Sequence, residues 1–178
     1  MEFSIHKALE VLQQTPSTLV SLLKDLSDEW VFSNEGPETW SAFDVVGHLI
    51  HGEKTDWIPR LNIILYEDGK HFVPFDRFAQ FENSKGKNLQ ELLHEFSSLR
   101  SENLTYFNSL SISENQLEMT GIHPEFGAVT AKQLLSTWAV HDLRHIAQLA
   151  RVLAKQYKNE VGPWTPYISI LNKYDYGK

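Results

Sequence analysis

Trp138-Ala139-Val140-His141-Asp142-Leu143-Arg144-His145-Ile146-Ala147-Gln148 is the stretch that decides the fold of this chain. Its apolar residues recur at spacings of three and four, as in a helix with one buried face. With Leu134 set at zero on the helical wheel, Trp138 falls at about +40°, His141 at about −20°, His145 at about +20°, Gln148 at about −40° and Val152 at about 0°. Both histidines therefore lie in the middle of the apolar stripe, one turn apart on one face. Buried imidazoles need partners. A metal ion is one answer, as in other His-x-x-x-His helices; mutual hydrogen bonds or nearby acids are the other.

Moving outward, Thr130-Ala131-Lys132-Gln133 has the spacing of a capping box, so this helix is expected to start at Thr130 and reach about Tyr157. Asn88-Leu89-Gln90-Glu91 predicts another start, carried on by Leu92, Phe96, Leu99, Leu104, Phe107 and Leu110. Ser41 and Asp44 predict a third, running through Phe43, Val46, Ile50, Trp57, Leu61 and Ile64, with Pro59 expected to bend it. From Phe3 to Leu26 the helical pattern is interrupted by Pro16, which predicts either one kinked helix or two short ones. No segment has the pattern of a run of strands. The expectation is an all-α four-helix bundle in a single domain, residues 1–178, with a long loop between the second and third helices. That loop, Glu67 to Lys87, carries Phe72, Phe75, Phe78 and Phe81. Their spacing suggests a turn of helix folded over something apolar, and some of them are expected to cover the open end of the bundle near the histidines.

A third ligand would have to come from another helix, and the second offers His48 and His51 in Val46-Gly47-His48-Leu49-Ile50-His51-Gly52-Glu53. Measured from Phe43, His48 lies at about 140° and His51 at about 80°, so periodicity does not favour His48. Val45, Leu49 and Gly52 flank His48, however, and a helix buried on two sides would accommodate both. The residues alone leave this choice open.

Composition narrows the function. There is no cysteine among the 178 residues, so disulfides, thiolate metal sites and a cysteine nucleophile are excluded. Any metal must be held by His, Asp or Glu. Sixteen basic residues against 23 acidic ones give a net charge of −7, which makes nucleic acid an unexpected partner. No apolar run approaches the roughly eighteen residues of a membrane span, and Met1-Glu2-Phe3-Ser4 lacks the regions of a signal peptide. No membrane partner and cytoplasmic residence are the expectations. Twenty-one aromatic side chains (five Trp, six Tyr and ten Phe) are enough to build a core and also to line a small-molecule pocket.

Two motifs together make the chain recognisable. Thr39-Trp40-Ser41-Ala42-Phe43-Asp44-Val45-Val46-Gly47-His48-Leu49 and His141-Asp142-Leu143-Arg144-His145-Ile146-Ala147-Gln148 resemble the DinB-like superfamily. That superfamily includes the YfiT-type metal-dependent hydrolases and the bacillithiol and mycothiol S-transferases. Phe126-Gly127 and Gly162-Pro163-Trp164 add to the likeness, which covers nearly the whole chain. The resemblance implies a four-helix bundle with one divalent metal ion, Zn or Ni, held by one His of the second helix and two of the fourth. These match His48, His141 and His145, so the resemblance selects His48 over His51.

Three neutral nitrogens leave coordination positions open for water or substrate. The resemblance thus implies a metal-dependent enzyme acting on a small molecule, by hydrolysis or by transfer to a low-molecular-weight thiol. A binding protein without turnover is the alternative, and a purely structural ion ranks last. No general base is legible. Glu53, Asp44 and Asp142 are expected at the surface or behind the ligands, and Gln148 is expected to orient a water or ligand, or to bond His145. Arg60 and Arg144 are candidates to bind an acidic substrate group or, more ordinarily, to form solvated salt bridges. A homodimer is expected, because the second helix points apolar residues in two directions and a second copy could cover one of them.

Overall fold

Ser41, Asn88 and Thr130 each start a helix as their spacing predicts. In every case the side chain accepts from the backbone N–H three residues on, and the acid or amide there reaches back to the cap. The protein, described by a computed structural model over residues 1–172, comprises α1 (Ile5–Leu23), α2 (Asp28–Phe32), α3 (Ala42–Thr55), α4 (Trp57–Tyr66), α5 (Ala79–Asn83), α6 (Leu89–Ser109), α7 (Glu114–Leu117), strands β1 (Thr120–His123) and β2 (Gly127–Thr130), α8 (Ala131–Gln156), and 3₁₀ turns at Gly162–Tyr167 and Ser169–Leu171. Residues 173–178, part of the expected 1–178 domain, lie outside the described residues. Helices α1 and α3 sit at opposite corners of a four-helix bundle, each packed against both α6 and α8. Helix α4 continues α3 along α8.

Two expectations are corrected, and one argument for a homodimer falls away. The break in the second helix falls at Asp56, not at Pro59. Proline at 59 cannot donate to the carbonyl four residues back, so the ladder ends at Thr55 and restarts with Pro59 harmlessly inside a first turn. The chain also has a β-hairpin, β1 paired antiparallel with β2 from Thr120↔Thr130 to His123↔Gly127. Its three-residue turn closes on Gly127 in the left-handed region (φ +70°), which L-residues adopt at a cost. The hairpin ties down the long loop: Phe72 N–H donates to the Ile122 carbonyl at 2.9 Å, and Ile122 N–H to that of Lys70 at 2.6 Å. Finally, the two-sided burial of α3 is met within the chain, by α6 on one side and by α5 and α8 on others, so it supplies no argument for a second copy.

The core is divided. One apolar cluster gathers Leu12, Trp57, Leu61, Ile64, Phe107 and Trp138; another gathers Leu19, Val45, Leu49, Leu92, Phe96 and Leu149. Between them each long helix contributes one buried polar residue: Thr15 from α1, Glu53 from α3, Arg100 from α6 and Asp142 from α8. Arg100 forms a fork on Asp142 (Nη1–Oδ2 2.6 Å, Nη2–Oδ1 3.0 Å) and reaches Glu53 Oε1 at 2.8 Å. Trp138 and Asn103 donate to Glu53 at 3.0 and 2.9 Å, and Thr15 donates to Asp142 at 2.6 Å. Burial pushes the Arg100 pKa down, but attraction to the two carboxylates and their hydrogen bonds outweigh it and leave the group above its ordinary value.

The same guanidinium explains why α1 is one helix. Pro16 has no N–H for the carbonyl of Leu12, and Arg100 Nη1 takes that carbonyl instead at 2.9 Å. A break would otherwise be expected where a buried acceptor loses its donor.

Two predictions follow from this packing. Arg100→Met leaves two buried carboxylates without their counter-ion and the Leu12 carbonyl unpaired, and should cost about 3–5 kcal/mol in urea denaturation. Combining it with Glu53→Gln and Asp142→Asn should restore much of that loss, because the uncompensated charges go with it. A single variant within about 1 kcal/mol of the parent would show that the layer does not hold the helices. Gly121→Ala drives a methyl into the Phe72 ring and Ile64, and should destabilise by about 1–3 kcal/mol in the same assay.

Candidate metal centre

His48 is carried by the middle of α3, His141 and His145 by the middle of α8, and the two helices bring all three rings to one point. The ring nitrogens lie within 4.8 Å of one another. His141 Nε2 is 3.1 Å from both His48 Nε2 and His145 Nε2. Nitrogens sharing one ion at ~2.0–2.1 Å stand roughly 2.9–3.4 Å apart, depending on the angle.

The outer nitrogens decide which atoms face inward. His48 Nδ1 lies 3.1 Å from Gln80 Oε1, and His145 Nδ1 lies 2.8 Å from Gln148 Oε1. A carboxamide oxygen only accepts, so both Nδ1 atoms carry the proton and both neutral rings present a bare Nε2 to the centre. His141 can place one proton between two such lone pairs, and then its own buried Nδ1 is left without a partner. Hydrogen bonding therefore leaves at least one buried acceptor unsatisfied. A single cation satisfies all three nitrogens, so the donor set fits a divalent ion.

Burial keeps the rings neutral. Desolvation is the largest cause in each case, lowering His48 to about 4, His141 to about 2 and His145 to about 3. For His48 the Gln80 hydrogen bond opposes this, as Gln148 does for His145, while neighbouring rings and Arg144 push the same way as burial. Neutral imidazole is the ligating form.

A cavity of about 790 Å³ opens from this centre. Trp40 packs 4.8 Å from the His48 ring centre, Trp57 lies 5.0 Å from His141, and Phe75 lies 5.4 Å from His48. Further wall comes from Phe72, Arg60, Arg77, Arg144 and the hairpin residues His123 and Phe126. Two of the four loop phenylalanines, Phe72 and Phe75, thus line the site; Phe78 and Phe81 are exposed and stack on each other.

The other candidates are placed as follows. His51 is buried and lies 4.7 Å from Phe75, and its Nε2 has no hydrogen-bond partner; it does not join the cluster. Gln148 bonds His145, one of its two expected roles. Glu53 and Asp142 are neither at the surface nor on the rings but belong to the Arg100 layer, and Asp44 is a helix cap. Arg60 is buried on the cavity wall 2.8 Å from Asp56. Asp56 is raised to about 6 by burial, against the attraction of Arg60. Gln80, Asp56 and Arg100 were not legible as site or support residues. Gln80 arrives from α5, in a loop with no motif, and only the length of that loop hinted at a role.

These shifts set a pH window for the metal-free protein. The unfolded rings titrate near 6.5 and the folded ones well below, so the unfolded chain binds more protons between those values. The stability contribution is complete above about 6.5 and is lost as pH falls towards 4 and below. The melting temperature of metal-free protein should therefore drop over that range, and a His141→Asn, His145→Asn variant should lose part of the dependence. Equal slopes in the two proteins would refute the assignment.

The fold is shared with proteins already solved. YfiT from Bacillus subtilis, described as a probable metal-dependent hydrolase with an unusual four-helix bundle topology, superposes with a TM-score of 0.74 at 20% identity, covering 90% of this chain and 91% of its own. TT2238, described as a four-helix bundle protein, gives a TM-score of 0.56 at 18% identity, over 83% of this chain and 98% of its own. At such identities the likeness is one of fold. No curated protein has a significant sequence match to the chain. No helix of the described residues is long and apolar enough to cross a membrane. Residues 12–149 match the family model of the DinB superfamily, with the three histidines inside the matched span, and the chain belongs to that superfamily.

Proposed function

We propose that the protein is a metal-dependent enzyme acting on a small molecule, with one divalent ion held by His48, His141 and His145. The observation that carries this reading is the convergence of three inward nitrogens with too few protons to satisfy them. The description of YfiT as a probable metal-dependent hydrolase supports it. Three neutral ligands of this type suit Zn²⁺ or Ni²⁺.

A divalent ion held there would supply Lewis acidity beside the cavity. The chain's own residues do the rest. Gln80 and Gln148 fix the tautomer and the direction of two rings. Trp40, Trp57 and Phe75 exclude water and stack against a flat or apolar substrate. Asp56, on the cavity wall with its carboxyl raised to about 6, can hold or release a proton near neutral pH. Hydrolysis is the reading preferred, and transfer to a small thiol is the second; both would draw on the same Lewis acidity. Binding without turnover is the non-catalytic alternative.

Metal analysis of the purified protein should give about one divalent ion per chain. His141→Ala or His145→Ala should largely abolish it, whereas His51→Ala should retain it. Undiminished metal in the His141→Ala, His145→Ala double variant would overturn the reading. Turnover of a model ester or other electrophile, with and without added thiol, separates the two enzymatic readings. Chelation should abolish either one.

A further inference from the structure

Charge around the three-histidine centre is one-sided. Three neutral imidazoles bring no negative charge to a divalent ion. Arg144, Arg77 and Arg100 are among the largest charged influences on these rings, and each pushes a ring's pKa down. Arg100 is neutralised by Glu53 and Asp142. Arg144 and Arg77 are not: both line the cavity, both are exposed, and neither has an ion-pair partner among the described residues.

The acids that line the cavity do not make up the difference. Glu35 is bound by Arg151 and Lys155, and Asp56 by Arg60. Glu38 and Glu125 remain, and neither is among the largest influences on the three rings.

The two arginines come from separate elements that the fold holds in place. Arg144 stands on α8 directly before His145. Arg77 sits in the long loop where the Asp76 side chain accepts from the backbone N–H groups of Phe78 and Ala79, at 2.9 and 3.2 Å, and so turns the chain into α5. That same α5 supplies Gln80 to His48. The cavity lining therefore takes one arginine from α8 and one from the long loop, and Trp40 and Phe75 add apolar wall.

We propose that the cavity selects small anionic molecules with an apolar body, and that Arg144 and Arg77 receive the carboxylate at the edge of the three-histidine centre. A guanidinium fork matches a carboxylate, and an exposed, unpaired arginine loses no ion pair on binding one. The assignment rests on the reading that the cavity beside the three histidines is where a small molecule is handled.

Phenylacetate and its neutral isostere phenylacetamide test it. Each is titrated into metal-free and Zn²⁺-loaded protein, followed by the NMR signal of the Arg144 Nε–H group and by tryptophan fluorescence. Phenylacetate should bind at least about tenfold more tightly in both forms and should shift the Arg144 signal, a factor equivalent to one charge-assisted contact. Arg144→Gln should remove most of that preference and Arg77→Gln part of it. Both are surface substitutions, so folding is spared.

Equal binding of the two probes, a preference that survives both substitutions, or no binding of either at millimolar concentration would overturn the assignment. So would a preference seen only with Zn²⁺, since the ion alone would then be the anion receptor. If Zn²⁺ does not bind at all, the metal reading falls, and the metal-free titration still decides the arginine assignment by the same criteria.

Discussion

The fork between Arg100 and Asp142, with Glu53 on its flank, is the interaction on which the rest of this structure depends. A buried pair of this kind is no certain gain in stability, because desolvation opposes the attraction. Its contribution here is register. Thr15, Glu53, Arg100 and Asp142 must meet in one layer, and each lies on a different long helix. Any helix that slid by a turn would leave a buried charge or hydroxyl facing hydrocarbon, at a cost of several kcal/mol on the order given by burial of an unpaired ion. Apolar clusters above and below tolerate small slippage; the polar layer does not.

That register also sets the three-histidine centre. Asp142 lies between His141 and His145 in sequence, and Glu53 lies five residues after His48. Locking Asp142 and Glu53 to one guanidinium therefore sets α8 against α3 at the level of the three rings. The side chains that grip the rings directly, Gln80 and Gln148, then need only choose the tautomer and the tilt. Stabilising contacts and chemistry-bearing contacts share the two helices, but they face different neighbours.

Much of this was legible beforehand, and the limits have physical causes. Helix starts at Ser41, Asn88 and Thr130 are short-range events written in four residues, and they were readable. The inward direction of His141 and His145 was readable because α8 has one apolar stripe. His48 was not readable from periodicity, because α3 is buried almost all round and so has no stripe to measure from; the family motif supplied it. Glu53 and Asp142 were misjudged and Arg100 was not seen, because a charged residue is buried only when partners distant in sequence are brought to it, 47 and 42 residues away here. The hairpin escaped because Thr-Gly-Ile-His and Gly-Ala-Val-Thr are too short and too glycine-rich to show alternation. Pro59 was recognised as a breaker, but its effect falls at the carbonyl it cannot serve, one turn earlier.

The hydrogen bonds from Phe72 and Ile122 that join the long loop to the hairpin have a consequence for how such a protein can change. Part of the cavity's wall, including Phe75, Arg77 and Phe126, is carried by connections, whereas the three histidines, Gln148 and the Arg100 layer are carried by the long helices. Insertions, deletions and side-chain swaps are tolerated in connections far better than in a close-packed interior. Descendants of this scaffold can therefore acquire new molecular tastes by editing residues 73–78 and 124–126 while inheriting the three-histidine centre and Gln80 intact. Diversification and conservation are assigned to different parts of one small chain.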